Sequence, residues 1–386
     1  MPNSSPTSSS STRTVSGSWP IPLFISVLIP VILGVVLYQL ESFDPASYPI
    51  HVLSSYPPMI VPKRNNQMLR SAEKIGVDRL LSPEDVAYDL NSGVIYTGCV
   101  DGWVKRVTVN ESVGDSRVEN WVFTGGRPLG VALGHYGEVI VVDADKGLLL
   151  NVTSEGEIKV LTEEAEGLKL KLADAVDIAE NGMIYFSDAS YKYNFKDYIY
   201  DFLEGRPYGR LLSYDPLTKQ TKTLLRDLYF ANGVAVSPDQ NFVIICETPL
   251  RKCKKYYIDG ERKGSVDVFV ENLPGYPDNI RYDGDGHYWI AFATAKTYSW
   301  DLAQRYPFIR KIMAIMVKYI GQPHAEKNGG VISVDLQGNP VEHYYDRDLT
   351  MVSSATKIGE HLYCGSVKSP YMLRLNLKQN PAVHTS

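Results

Sequence analysis

The sequence is short of the residues that most often announce a reaction. It holds only four cysteines and seven histidines in 386 residues. No two cysteines form a Cys-x-x-Cys pair, which removes the usual support for a zinc site. The histidines, at 51, 135, 287, 324, 343, 361 and 384, keep neither a metal-ligand nor a triad spacing. A Gly-x-Ser-x-Gly nucleophile elbow is missing. So is an excess of positive charge: 39 Lys and Arg stand against 44 Asp and Glu, net −5, and nothing electrostatic invites nucleic acid.

Charge is also missing locally. From Trp19 to Leu40 the chain reads WPIPLFISVLIPVILGVVLYQL without an ionisable acid or base. About 20 residues of helix rise about 30 Å, the thickness of a bilayer core, and Trp19 and Tyr38 lie where interfacial aromatics are favoured. Pro20, Pro22 and Pro30 argue against a buried core helix. A cleaved signal peptide would need small residues at its cleavage site, and Leu40-Glu41-Ser42-Phe43-Asp44 offers none in that pattern. An uncleaved signal anchor over 19–40 is therefore expected, behind a disordered, Ser/Thr-rich cytosolic tail (1–18) whose single charge is Arg13. The bulk of the chain then lies in the lumen of the endomembrane system, endoplasmic reticulum or vacuole, as a single-pass type II protein. The sequons at Asn110 and Asn151, in expected loops, suit glycosylation there. Cys246 and Cys253 flank an expected hairpin turn, so a disulfide and two free thiols both remain open.

Residues 41–74, with Pro45, Pro49, Pro57, Pro58 and Pro62, read as a stalk. Six segments then begin alike, with one mostly polar residue followed by a strand and a turn: EDVAYD from Glu84, LGVALG from Leu129, DAVDIA from Asp174, NGVAVS from Asn232, DNIRYD from Asp278 and SSATKI from Ser353. Each is followed by a second and a third strand, and most by a fourth. The sixth unit runs out of chain before its fourth, and the segment near Ile75–Leu81 is the expected replacement. Six units of four short antiparallel strands predict an all-β fold, a six-bladed β-propeller over 75–378, with 379–386 as a tail. Insertions at 190–208 and 294–329 interrupt the rhythm. The second contains YPFIRKIMAIMVKYIG, expected to be one amphipathic helix. It could cover the channel, touch a membrane surface or simply pack on the propeller face.

In a propeller the first strand of each blade lines the axis, so the opening residues should converge. Glu84, Asp174, Asn232 and Asp278, with Asn279 just behind, would bring carboxylates and amides to one level. Buried together they repel unless something neutralises them. Calcium, which takes six to eight oxygen ligands, suits such a ring better than magnesium. The alternative is that these side chains cap strand ends by bonding to the backbone.

The segments FANGVAVSPD (230–239), PGYPDNIRYD (274–283), SPEDVAYD (82–89), TGCVDGWVKRV (97–107) and GRPLGVAL (126–133) resemble the strictosidine synthase-like proteins of plants and the adipocyte plasma-membrane-associated type. More distantly the chain is similar to paraoxonases and gluconolactonases. The resemblance implies a channel calcium held by Glu84, Asp174, Asn232, Asp278 and Asn279, with Asp174 replacing the usual Asn. It also marks departures. Leu129 and Ala144 stand where the hydrolases use histidine. Ser353 stands where true strictosidine synthases place a catalytic glutamate, and a hydroxyl without an adjacent base cannot take that part. The expected activity is metal-dependent hydrolysis of an ester or lactone, with Glu84 or Asp278 as candidate catalytic groups. The alternatives are a propeller that binds a small metabolite without turnover, or a condensing enzyme. Small molecules and, through 19–40, a membrane are the expected partners.

Overall fold

The computed structural model describes residues 21–53, 59–322 and 327–384, without the side chains of 21–24, 51 and 52. The tail 1–18, Trp19, Pro57, Pro58 and His324 lie outside the described residues. Two compact units are present, Met1–Phe43 and Asp44–Ser386. In the first, Ile21–Leu40 is helical over 20 residues, with Pro30 inside it. Among the described residues no helix is long and apolar enough to cross a membrane.

The second unit is a six-bladed β-propeller. Its innermost strands are Ala87–Asp89, Pro128–Leu133, Ala173–Ile178, Ala231–Val236, Gly275–Tyr282 and Val352–Ile358. Each pairs antiparallel with the next strand in sequence, and each blade carries four strands stepping outward. Valine, isoleucine and leucine on the strand faces are buried between adjacent blades, as Ile140, Val142, Val176 and Phe186 are between blades two and three. Sheet packing of this kind needs a closed ring, because an open one would expose the apolar faces of its first and last blades to water.

Closure uses both ends of the chain. Glu73–Ile75 pairs with Met372–Asn376 and supplies the outer strand of blade six. It lies just N-terminal to the expected 75–81 segment. Ile75 is fully buried there, which pins the register. Blade five grows further: Lys63–Asn65 adds parallel to Pro340–Tyr345, and Val383–His384 adds antiparallel beyond it. The expected stalk and tail are thus partly strands of the propeller. The segment after Asp44 is also docked, with Tyr48 buried and its hydroxyl donating to the Phe202 carbonyl at 3.1 Å.

The two insertions form a helical roof. The first contains the helix Tyr198–Glu204, ended by Gly205 in the left-handed conformation. The second holds the expected helix as Pro307–Tyr319, preceded by a further helix, Tyr298–Arg305. The break falls at Pro307, whose ring suits a helix start and has no amide hydrogen to continue the preceding turn. Thr297 caps the first of them, its hydroxyl accepting from the Trp300 amide at 3.3 Å. Arg310, although charged, is fully buried. Its guanidinium donates to the carbonyls of Ala303 (2.9 Å), Leu203 (3.0 Å), Glu204 (3.2 Å) and Ala46. Three of these carbonyls lie at the C-terminal ends of two helices, where a cation is favoured, and the group also lies over the Tyr48 ring. On the opposite side Phe308, Ile312, Met316 and Tyr319 form an exposed apolar stripe.

Arg310→Met should leave the buried Ala303 and Leu203 carbonyls without the guanidinium and destabilise the protein by about 3 kcal/mol or more. Denaturant unfolding measures the loss, and limited proteolysis should now cut within 296–322. An unchanged midpoint would show that Arg310 does not hold the roof.

Candidate functional site

Most opening residues sit at an irregularity of the inner strand. Pairing with the second strand shifts between Pro128 and Val131, Ala173 and Val176, Ala231 and Val234, Pro277 and Ile280, and Val352 and Ser354. A bulge at the same position in five blades turns the side chain out of the pleat and towards the axis. Neighbouring strands approach closely at this level. A Cβ on Gly130 would lie 2.6 Å from the Asp174 carbonyl, and one on Gly233 2.4 Å from that of Asp278. Glycine therefore follows the opening residue in blades two and four because the next blade's backbone occupies the space.

A buried carboxylate at or near the end of the second strand anchors the approach to the opening residue. Asp143 accepts from the Arg127 amide at 3.0 Å, Asp188 from the Leu172 amide at 3.0 Å and Glu247 from the Tyr229 amide at 3.0 Å. Glu84 is held differently. Ser353 and Ser354 both donate their hydroxyls to its backbone carbonyl at 2.7 Å. Ser353 is fully buried, and its hydroxyl serves the backbone.

Glu84, Asp174, Asn232 and Asp278 come together, with Leu129, in a cavity of about 220 Å³. The floor is polar and the walls are not. Phe195, Tyr198 and Phe202 from the first insertion face it with Phe230, Leu172 and Met351, and the Phe202 and Phe230 rings lie 4.5 Å apart. Asn279 stands behind the floor and donates its amide to Glu84 Oε1 at 2.7 Å, while the Asn232 amide supports Asp278. Three oxygens of this group are buried with no hydrogen-bond partner: Glu84 Oε2, Asn232 Oδ1 and Asn279 Oδ1. All five expected residues are thus assembled at one place. Among the described residues no group of three or more His, Cys, Asp or Glu is arranged as a metal site. The convergent oxygens are a mixture of carboxylate and amide.

Burial and mutual repulsion dominate the electrostatics. Desolvation first, then the neighbouring acids, push Glu84 and Asp174 well above the usual carboxylate range, with Arg127 opposing. Desolvation, partly offset by the Asn232 hydrogen bond, pushes Asp278 up to about 7. The same Asp278 charge helps to raise the Tyr198 phenol, after desolvation. No histidine lines the cavity among the described residues.

A further charged layer has no counterpart in the sequence reading. Asp85, fully buried, forms an ion pair with Arg281 and accepts from the Val131 amide at 3.0 Å. Arg281 also donates to the carbonyls of Val176 and Val131, each at 3.0 Å. One guanidinium thereby ties blade five to blades one, two and three. The available signal was strand parity, since Arg281 follows Asn279 by two residues and shares its side of the strand. Arg127, also buried, donates to the Ser82 carbonyl at 3.0 Å and lies over the Phe195 ring.

The other expected residues fall elsewhere. Cys246 and Cys253 are disulfide-bonded across adjacent strands, while Cys99 and Cys364 are free and buried. Asn110 is exposed after the third strand of blade one. Asn151 is not in a loop: it is half-buried in the strand Leu148–Val152, paired on both sides.

A strictosidine synthase family model matches residues 174–261, and a strictosidine synthase-like N-terminal model matches 64–107. Strictosidine synthase-like protein 6 of Arabidopsis thaliana is 55% identical over 361 residues, covering 93% of this chain and 96% of that one. The adipocyte plasma membrane-associated protein of Rattus norvegicus is 34% identical over 376 residues, covering 92% and 98%. Among solved structures, a gluconolactonase from Xanthomonas campestris superposes with a TM-score of 0.57 at 14% identity, covering 84% of this chain and 98% of that one. A calcium-binding protein, regucalcin, from Agrobacterium tumefaciens gives 0.54 at 14% identity, covering 81% and 95%. At such identities these two structures speak for the fold alone.

Between about pH 4 and about pH 7 the unfolded chain has released the Asp278 proton while the folded chain retains it. Folding therefore becomes less favourable as pH rises through that window. In chelator, calorimetric melting temperature should fall across it more steeply for the native protein than for Asp278→Asn. Equal slopes would contradict the buried, repelling arrangement.

Proposed function

The chain belongs to the strictosidine synthase-like family, and from its channel we propose that it is a calcium-dependent hydrolase of small, largely apolar esters or lactones. The observation that carries this reading is the set of orphaned acceptor oxygens on Glu84, Asn232 and Asn279 beneath an aromatic roof. Oxygens that only accept, buried without donors, suit a hard cation, and Asp174 and Asp278 complete the set. Calcium bound there would polarise a carbonyl oxygen and lower the pKa of a coordinated water.

The protein's own groups do the rest. The rings of Phe195, Tyr198, Phe202 and Phe230 take up the apolar body of the substrate and keep bulk water from the floor. Asn279 fixes Glu84 through Oε1, leaving Oε2 without a protein partner. Asp278, which faces the cavity floor beside Asn232, is the group assigned to accept a proton from attacking water. Strictosidine synthesis is not proposed, because Ser353 brings no carboxylate and its hydroxyl is engaged on the Glu84 carbonyl. A cavity lining without histidine among the described residues favours, as a second reading, a propeller that binds a small metabolite without turnover.

We place the propeller in the endomembrane lumen behind an anchor at 19–40. The uncharged run 19–40, the Cys246–Cys253 disulfide and the exposed Asn110 support this, as does the membrane association in the rat relative's name. The exposed stripe Phe308, Ile312, Met316 and Tyr319 suits a bilayer interface.

The purified protein should contain about one calcium per chain and hydrolyse aryl esters or lactones in a chelator-sensitive manner. Glu84→Gln and Asp278→Asn should each lower kcat/KM by about 100-fold. A protein isolated without metal would overturn the calcium site, and metal without turnover would select the binding propeller. Glycosidase treatment should reduce the mass of the expressed protein but not that of Asn110→Gln, and Asn151→Gln should behave as native. A native protein insensitive to glycosidase would count against the lumenal topology.

A further inference from the structure

A second cavity, of about 280 Å³, lies on blade five outside the channel set described above. Strand register places its lining residues. Phe292, Gly330 and Tyr345 stand opposite one another on consecutive strands, and in another row Ile290, Ile332, His343 and Arg64 do the same. A Cβ on Gly330 would lie 2.3 Å from the Tyr344 carbonyl oxygen, so only glycine fits where these strands pass, and Phe292 and Tyr345 on the strands flanking it line the cavity. The N-terminal strand Lys63–Asn65 brings Arg64 to its rim beside His343.

The lining chemistry is specific. His343 is 9% exposed, and its Nδ1 has no hydrogen-bond partner. Arg64 Nε and Asn328 Oδ1 are likewise buried and unpartnered. Orphaned buried polar atoms cost free energy unless a ligand or water meets them. Lys296 adds a second cation, shared with Asp301 at 2.9 Å, and among the described residues no carboxylate lines the cavity. Burial and the adjacent Arg64 charge push His343 down to about 4, so the imidazole is neutral at pH 7 and free to bond through Nδ1. The walls are flat: the His343 and Tyr345 rings stack at 4.6 Å, and Phe292 meets His343 edge-on at 5.9 Å. A neighbouring polar cleft shares Asn328 and Tyr345 and is lined by Arg70, Arg347, Asp346 and Asp348, so its charges balance and Arg64 and Lys296 are the cations of the cavity itself.

We propose that this cavity is a binding site for a small organic carboxylate with a planar apolar body, held by Arg64 at its anionic end and by the Phe292, His343 and Tyr345 rings along its flanks. A guanidinium is matched in geometry to a carboxylate, and an apolar wall with few polar groups is the usual make-up of a ligand pocket. The site is independent of the channel, since none of its lining residues belongs to the calcium set.

Benzoate is the probe. Titration calorimetry of the full chain at pH 7 should show saturable binding that is unaffected by chelator. Arg64→Gln, a change on a short outer strand, should weaken it at least tenfold, with native melting temperature verifying the fold. His343→Leu should weaken it too, and Glu84→Gln should leave it unchanged. Neutral benzamide should bind at least tenfold more weakly than benzoate. Inorganic phosphate is the competing oxyanion: displacement of benzoate by phosphate supports the Arg64 contact, and phosphate binding without benzoate binding overturns the planar carboxylate. No benzoate binding, equal binding of benzamide, or full affinity in Arg64→Gln also overturns the proposal. Loss of benzoate binding on chelation or in Glu84→Gln would place the ligand in the channel instead.

Discussion

Glu84, Asp174 and Asp278 are buried together at the axis of a closed ring, where water screens them poorly and like charges raise one another. Repulsion between buried like charges is strong enough to unfold a site unless protons, a cation or fixed donors compensate it. Much of the surrounding structure can be understood as that compensation. Asn279 and Asn232 supply donors at the level of the acids, Arg127 stands beside them, and Arg281 meets Asp85 in the layer alongside.

The same elements lock the blades to one another. The bulges that aim the opening residues inward also let strands approach so closely that only glycine fits at 130 and 233. Side chains then cross between blades: Asp85 to the Val131 amide, Asp177 to the Val236 amide, Thr248 to the Pro277 carbonyl. Site and scaffold are therefore coupled. A change that empties the axis of its acids relieves repulsion, whereas one that removes a cross-blade acceptor strands a buried amide. The roof is a separate device, built on Arg310 and the carbonyls it gathers, and it gives an otherwise polar funnel its apolar walls.

The blade count, the strand order and the five axial residues are legible in the amino-acid order alone, because a propeller repeats one unit and its opening residue faces the axis. Asp85, Arg127 and Arg281 are not. They lie beside the repeated positions, and a single sequence does not show which neighbour across the ring each will meet. The insertions announce their positions and the helix over 307–319 but not the rest of their form: a second helix, Tyr298–Arg305, precedes it, and Arg310 is fully buried. Asn151 lies in a strand and not in the expected loop, and the apolar run Leu148-Leu149-Leu150 just before it already carried that signal.

Short strand runs bounded by turns, six similar openings and a closing segment ahead of the first blade determine the propeller by themselves, since the runs dictate strands and repetition dictates the ring. Only the tertiary structure decided which side chains share an environment. Ser353 became a support for the Glu84 carbonyl, Arg310 the anchor of the roof, and His343 a wall of the cavity on blade five. Those roles arise from contacts between residues far apart in the chain, where distance, burial and charge are settled only once the ring has closed.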